Sequence, residues 1–152
     1  MSYKPVTYID RQLLVPDFLA DRWDFNEWEP ERSRNMALNL SPADVLFDIG
    51  TEAGWQSAFY AMLLGGANRM VLLEPNPDYW PNIRGTFEAN ELGVPLACWT
   101  GLVGTESITQ DIVPQESLSV GSWPAVSVGK EWELLSYRYI HEHGHMTNQT
   151  TV

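Results

Sequence analysis

What most restricts the fold of this chain is a pattern between residues 44 and 74: two short apolar runs, each closed by an acid, on either side of a stretch with helical spacing. Asp44-Val45-Leu46-Phe47-Asp48-Ile49-Gly50 is too short and too evenly apolar for a two-faced strand, and fits a strand buried in a parallel sheet. Trp55, Phe59, Met62 and Leu63 then recur at helical intervals, and Gly65-Gly66 supplies a stop, so the spacing predicts a helix from about Gly54 to Leu64. Met70 to Leu73 forms the second run, ended by Glu74, and Pro75-Asn76-Pro77 prevents its extension. A further helix follows, with Asp78 as its cap, Pro81 in its first turn, and Trp80, Ile83 and Phe87 on its buried face. Leu96-Ala97-Cys98-Trp99-Thr100 is a third strand. Alternation of this kind predicts right-handed crossovers feeding a parallel sheet, and the fold class is α/β.

The flanks are less regular. Residues 1–25 show little periodicity apart from Leu13-Leu14 and the stretch Phe18 to Trp23, and read as an irregular lead-in with one short helix. Pro30 suits a first helical turn, and Met36 and Leu40 lie four apart, which places a helix between Asn26 and Leu40. After Gly101 serine, glycine and β-formers take over, and Ser107 to Val113, Ser117 to Val128 and Trp132 to Ile140 read as two or three antiparallel strands or a loop-rich hairpin. The organisation is thus a lead-in and helix over 1–40, a βαβαβ unit over 41–105, and a β-rich extension of the same domain over 106–152.

With 152 residues, 44% of them hydrophobic, the chain has the means to bury one core and does not read as disordered. Its net charge of −11 repels phosphate backbones and anionic lipid heads, so neither nucleic acid nor a membrane surface is an expected partner. The single cysteine, Cys98, can form no intrachain disulfide and no zinc ribbon. No apolar run reaches the roughly 18 residues of a spanning helix, and Met1 to Thr7 lacks a signal-peptide pattern. A cytoplasmic setting is the expectation.

Chemistry gathers at the strand ends. The first strand runs through Asp48 into Gly50-Thr51-Glu52-Ala53-Gly54 and directly into a helix, which demands a sharp turn and offers N–H groups to a carboxylate or phosphate. Twenty residues beyond Gly54, Glu74 ends the second strand, where two carboxylate oxygens can accept both hydroxyls of a ribose. Together they describe an adenosine-type pocket. A dinucleotide fold wants Gly-x-Gly-x-x-Gly against its pyrophosphate, and Glu52 stands where the middle glycine belongs, so a dinucleotide oxidoreductase is disfavoured. Asp48 and Glu74 suit the sulfonium and ammonium groups of S-adenosylmethionine better.

Phe47-Asp48-Ile49-Gly50-Thr51-Glu52-Ala53-Gly54-Trp55, Val71-Leu72-Leu73-Glu74-Pro75-Asn76-Pro77 and Asn90-Glu91-Leu92 resemble the opening half of FkbM-type class I S-adenosylmethionine-dependent methyltransferases over about residues 40–105. The resemblance implies a Rossmann-like sheet, incomplete here, in which Asp48, Gly50 and Gly54 line the methionine part of the cofactor and Glu74 holds the ribose. Thr51 and Asn76 join them as cofactor-binding candidates. It also implies O-methylation of a sugar or small-molecule hydroxyl. Two departures stand out. Glu52 is acidic where many class I enzymes carry a small or amide residue, and its charge competes with the cofactor carboxylate for the same N–H groups. The acid-glutamate-glycine signature of a fourth strand is missing before Val152, so the sheet is expected to stop at its first strand, leaving an apolar edge. A hairpin from 107–140, a second copy of the chain or a separate polypeptide carrying the missing half are the expected covers.

Other features have plainer readings. His141, His143 and His145 alternate, as a metal site in an extended segment requires, but Glu142 points oppositely and a solvated tail accounts for them. Trp55 and Trp80 sit at packing positions, whereas Trp23, Trp28 and Trp123 are freer. Arg32 and Arg34 can reach an anionic substrate, but surface roles also suit them, and no general base is legible. The alternative to a methyltransferase is a non-catalytic binding or assembly protein that keeps the turn and strands and acts through whatever covers its edge.

Overall fold

The computed structural model describes residues 1–22, 24–103 and 116–125. It is a mixed α/β structure built on a four-stranded sheet. Strand β3 (Leu46–Ile49), helix α3 (Trp55–Leu64), strand β4 (Met70–Glu74), helix α4 (Trp80–Ala89) and strand β5 (Ala97–Thr100) follow the expected alternation. The order across the sheet is β3-β4-β5-β6, with β6 spanning Ser117–Val120. The first two pairings are parallel and the last is antiparallel.

The N-terminal lead-in is not irregular. Strands β1 (Tyr3–Tyr8) and β2 (Arg11–Pro16) form an antiparallel hairpin, paired from Tyr3 with Pro16 to Tyr8 with Arg11. A single helical turn α1 (Asp17–Ala20) follows, and the helix expected between Asn26 and Leu40 is α2 (Pro30–Asn39). The hairpin buries Tyr8, Leu13 and Val15 in the same core as the helices. Helix α3 therefore lies between a hairpin and a sheet, which explains why Trp55, Ala58, Phe59, Tyr60, Ala61 and Leu64 are buried around it instead of along one stripe. Edge-to-face ring contacts fix this junction, with Tyr8 4.9 Å from Trp55 and 5.0 Å from Phe59, and Phe25 4.8 Å from Trp55.

Asn90, at the end of α4, ties the hairpin down by imitating a strand. Its side-chain carbonyl accepts the Leu14 N–H, and its amide donates to the Leu14 and Thr86 carbonyls, each at 2.8 Å. Replacing Asn90 by alanine leaves the Leu14 backbone groups without these partners in a half-buried place, and is expected to cost about 2 kcal/mol. Urea titration against wild type measures it.

The sheet has two unlike faces. Met70, Leu72 and Cys98 point into the core and are fully buried. Phe47, Val71, Ala97 and Val120 align in one row on the opposite face, and Ile49, Leu73, Trp99 and Leu118 in the next. The ends of these rows are open, with Phe47 at 55% and Val120 at 68% exposure. Strand β6 lies beside β5, so this part of the expected 107–140 hairpin is at the edge opposite β3. Among the described residues β3 pairs only with β4. The expected strands at 107–113 and 132–140 lie outside the described residues, as do Trp23 and the three histidines.

Candidate functional site

The chain leaves β3 through a turn in which Gly50 and Gly54 both have φ of +80° and Glu52 has φ of +50°. Glycine suits the first two positions because such angles are open to it without steric cost. At Gly54 it is also demanded by packing, since a Cβ would come within 2.8 Å of the Ile83 Cα. Above Gly50 the space is open, with nothing within 4 Å of a built Cβ. Gly54→Ala is therefore expected to cost about 2 to 5 kcal/mol, the sum of a left-handed penalty and backbone overpacking. Gly50→Ala incurs only the first, about 1 to 2 kcal/mol. Thermal unfolding of the two variants side by side tests the difference.

Most N–H groups of the turn are already used. Gly50 and Thr51 donate to the Leu73 carbonyl at 2.8 and 3.3 Å, and Gly54 to the Thr51 carbonyl at 3.0 Å. Glu52 donates its N–H to Glu74 Oε2 at 2.8 Å. The free turn donors expected from the sequence are thus engaged, and what the site offers instead is the start of α3, where no side chain caps the helix at Gly54.

Glu74 is the hub of the strand ends. It is buried, and its other oxygen accepts the Asn76 N–H at 2.8 Å. Each oxygen keeps a second lone pair. Burial pushes the Glu74 carboxyl up to about 7, against the pull of those two N–H donors. Its removal would strand two backbone donors, so Glu74→Ala is not the stability-neutral change that a purely ligand-binding role implies. Asn76 is equally structural: its carboxamide oxygen accepts the Asp78 N–H at 3.1 Å and caps the 3-10 turn Pro77–Tyr79, the capping role expected of Asp78. Asp48, also buried, accepts a short hydrogen bond from Ser57 on α3. Desolvation raises its pKa, opposed by Ser57, Arg32 and Thr51. Thr51 is buried and turns its hydroxyl to the Asp48 carbonyl at 3.4 Å. The two acids thus engage different partners, Glu74 the turn and Asp48 the helix. Glu52, half in solvent, has its pKa raised by burial and by Glu29 and Asp48.

Beside Asp48 lies a polar seam between α2 and α3. Tyr8 donates its hydroxyl to the Trp28 carbonyl at 3.0 Å, and therefore accepts from Ser33 at 2.5 Å. Ser33, fully buried on α2, in turn accepts from the Gln56 amide at 3.2 Å. One helical turn beyond Gln56, the Tyr60 hydroxyl is buried without a hydrogen-bond partner. Arg32, next to Ser33, pairs with Glu29 at 2.9 Å, and Arg34 pairs with Glu31 at the surface. The structure thus separates the two arginines, because Arg32 is within electrostatic reach of Tyr60 and Asp48. Glu29 itself has φ of +44°, an uncommon angle for a residue with a Cβ. Nothing in the local sequence marks this seam, since Tyr8, Ser33 and Gln56 are 25 and 23 residues apart and follow no period.

The remaining candidates are packing. Trp80 is buried and donates its indole N–H to the Thr100 hydroxyl at 2.8 Å. Trp123, expected to be free, packs edge-on to Phe87 at 5.4 Å. Cys98 is buried in the core with its thiol pushed up to about 12, which makes it unreactive. Among the described residues no group of three His, Cys, Asp or Glu side chains is placed to hold a metal, and no helix is long and apolar enough to cross a membrane. No family model, no curated protein and no solved structure matches the chain.

Proposed function

We propose that the chain binds S-adenosylmethionine at the end of β3 and β4, as an FkbM-like methyltransferase or the cofactor-binding half of one. The observation that carries this reading is the joint placement of an uncapped helix start, open space over Gly50 and a buried carboxylate at the next strand end. The residues fit the cofactor in kind. Glu74 retains a lone pair on each oxygen for the ribose hydroxyls, and the positive end of the α3 dipole suits a carboxylate. Asp48 and Glu52 supply negative charge near a sulfonium and an ammonium group. When bound, that cofactor supplies an activated methyl group, and a sugar or small-molecule hydroxyl is the proposed acceptor. The chain's own contribution is positioning, by a turn whose internal hydrogen bonds hold it rigid.

A second reading is favoured by one specific observation. The sheet exposes apolar residues on one face and pairs β3 on one side only among the described residues. A non-catalytic assembly protein, completed by a second copy or a complementing polypeptide, accounts for both features. Titration calorimetry with S-adenosylmethionine, S-adenosylhomocysteine and NAD on the whole chain distinguishes the two. Heat from both adenosyl compounds and none from NAD is the expected result, and no heat from any of the three favours assembly.

A further inference from the structure

We propose that Trp28 and Glu29 form the seat of the methyl acceptor, the indole taking the apolar face of a pyranoside ring and the carboxylate accepting from its hydroxyls. The inference rests on the donor-binding reading above and supplies the acceptor residues that reading leaves unnamed. Three observations carry it. First, Trp28 is 42% exposed, whereas Trp55 and Trp80 are buried and Trp99 and Trp123 partly so. An indole this open is surface that a flat apolar partner can cover. Second, its backbone is fastened on both sides. Its N–H donates to the Phe25 carbonyl at 3.2 Å, and its carbonyl accepts from the Tyr8 hydroxyl at 3.0 Å. Phe25 and Tyr8 both pack edge-on against Trp55, the first residue of α3, at 4.8 and 4.9 Å. Trp28 is thereby tied to the helix start assigned to the donor, in a segment that needs little ordering on binding.

Third, Glu29 breaks a local rule. It stands at the N-cap of α2 with φ of +44°, and its side chain caps nothing. Serine, aspartate, asparagine or glycine suits such a position better. What glutamate supplies there is a carboxylate fixed by Arg32 at 2.9 Å through one oxygen, and still 46% exposed. Lone pairs remain on both oxygens for further donors. Glu29 also raises the pKa of Asp48 and Glu52, so it lies within electrostatic reach of the acids at the strand ends. A ring held on Trp28 and Glu29 is thus brought to the side of the donor that those acids face. An anionic ring would meet Glu29, Asp48 and Glu52, while Arg32 is already paired, so the seat selects rings without acid groups. No covalent step is assigned to either residue.

The experiment is saturation-transfer NMR on the full chain with S-adenosylhomocysteine present. The probes are methyl glucoside and methyl galactoside, each beside its uronic acid counterpart. At least one neutral glycoside is expected to bind, and its uronic acid several-fold more weakly. Trp28→Ala should weaken the glycoside about tenfold or more, and Glu29→Gln several-fold. Trp28→Ala should leave the affinity for S-adenosylhomocysteine unchanged, which separates loss of the seat from loss of the fold. Trp28→Phe keeps an aromatic face and should give an intermediate glycoside affinity. Glycoside binding that survives both Trp28→Ala and Glu29→Gln, or that favours the uronic acid, overturns the proposal. If S-adenosylhomocysteine binds and neither glycoside does, the proposal falls and the donor reading stands. Trp28-dependent glycoside binding without any nucleoside binding removes the donor reading and leaves a saccharide site.

Discussion

Raised from pH 5 to pH 8, the protein is expected to lose about 3 kcal/mol of folding stability through Glu74. Burial raises this carboxyl from 4.5 to about 7. Below 4.5 Glu74 is protonated in the folded and the unfolded chain, and above 7 it is ionised in both. Between those limits the folded chain holds a proton that the unfolded chain has released, so stability falls as pH rises. The span is 7 − 4.5 = 2.5 units, and at 1.36 kcal/mol per unit it comes to about 3 kcal/mol. Asp48 and Glu52 are shifted in the same direction, so their contributions carry the same sign. The informative measurement is therefore the difference between wild type and Glu74→Gln in urea midpoints at several pH values. The amide offers one acceptor to two N–H donors, so the variant should start about 1 to 3 kcal/mol less stable at pH 5. Its curve should then approach that of wild type towards pH 8. Parallel curves would mean that Glu74 does not titrate in this window.

Trp80→Ala is expected to cost about 4 kcal/mol, the range for removing a fully buried aromatic from a core. The indole fills the space beneath β5 and satisfies the Thr100 hydroxyl, so the variant loses both packing and a buried hydrogen bond. Domains of this kind rarely have more than about 5 to 15 kcal/mol in total, so the variant should be close to unfolding at room temperature. Trp80→Phe keeps most of the volume and leaves the hydroxyl without its donor, at about 1 to 2 kcal/mol. Urea unfolding of both variants gives the two contributions separately.

The central β–α–β–α–β order was legible because each element carries its own signal. Met70 to Glu74 is an apolar run cut by two prolines, and Trp80, Ile83 and Phe87 keep helical spacing within one element. The N-terminal hairpin was not legible, for an equally local reason. Its turn is Ile9-Asp10, with Ile9 at φ of +58°, where an Asn-Gly or Asp-Gly pair is the usual mark. That angle is held from a distance: Asn26 accepts the Ile9 N–H at 3.1 Å and donates to the Thr7 carbonyl at 3.0 Å. Pro5 inside β1 and the half-exposed Leu14 in β2 further obscure the alternation. At the site, the glycine turn and Glu74 were readable by type and spacing. That Glu74 would bond the turn itself, and that Asn76 would be a cap, depends on where backbone N–H groups point, which composition does not encode.

Helix α3 is buried over most of its surface, and this orders events during synthesis. The hairpin emerges from the ribosome first, yet the Asn90 side chain that holds its second strand lies 76 residues downstream of Leu14. Until α4 has left the exit tunnel, Tyr8, Leu13 and Val15 have no lasting home, and the nascent chain presents them bare. The hours-old protein and the half-made one therefore differ most at the N-terminus, and a chaperone that grips apolar strands would find its longest opportunity there.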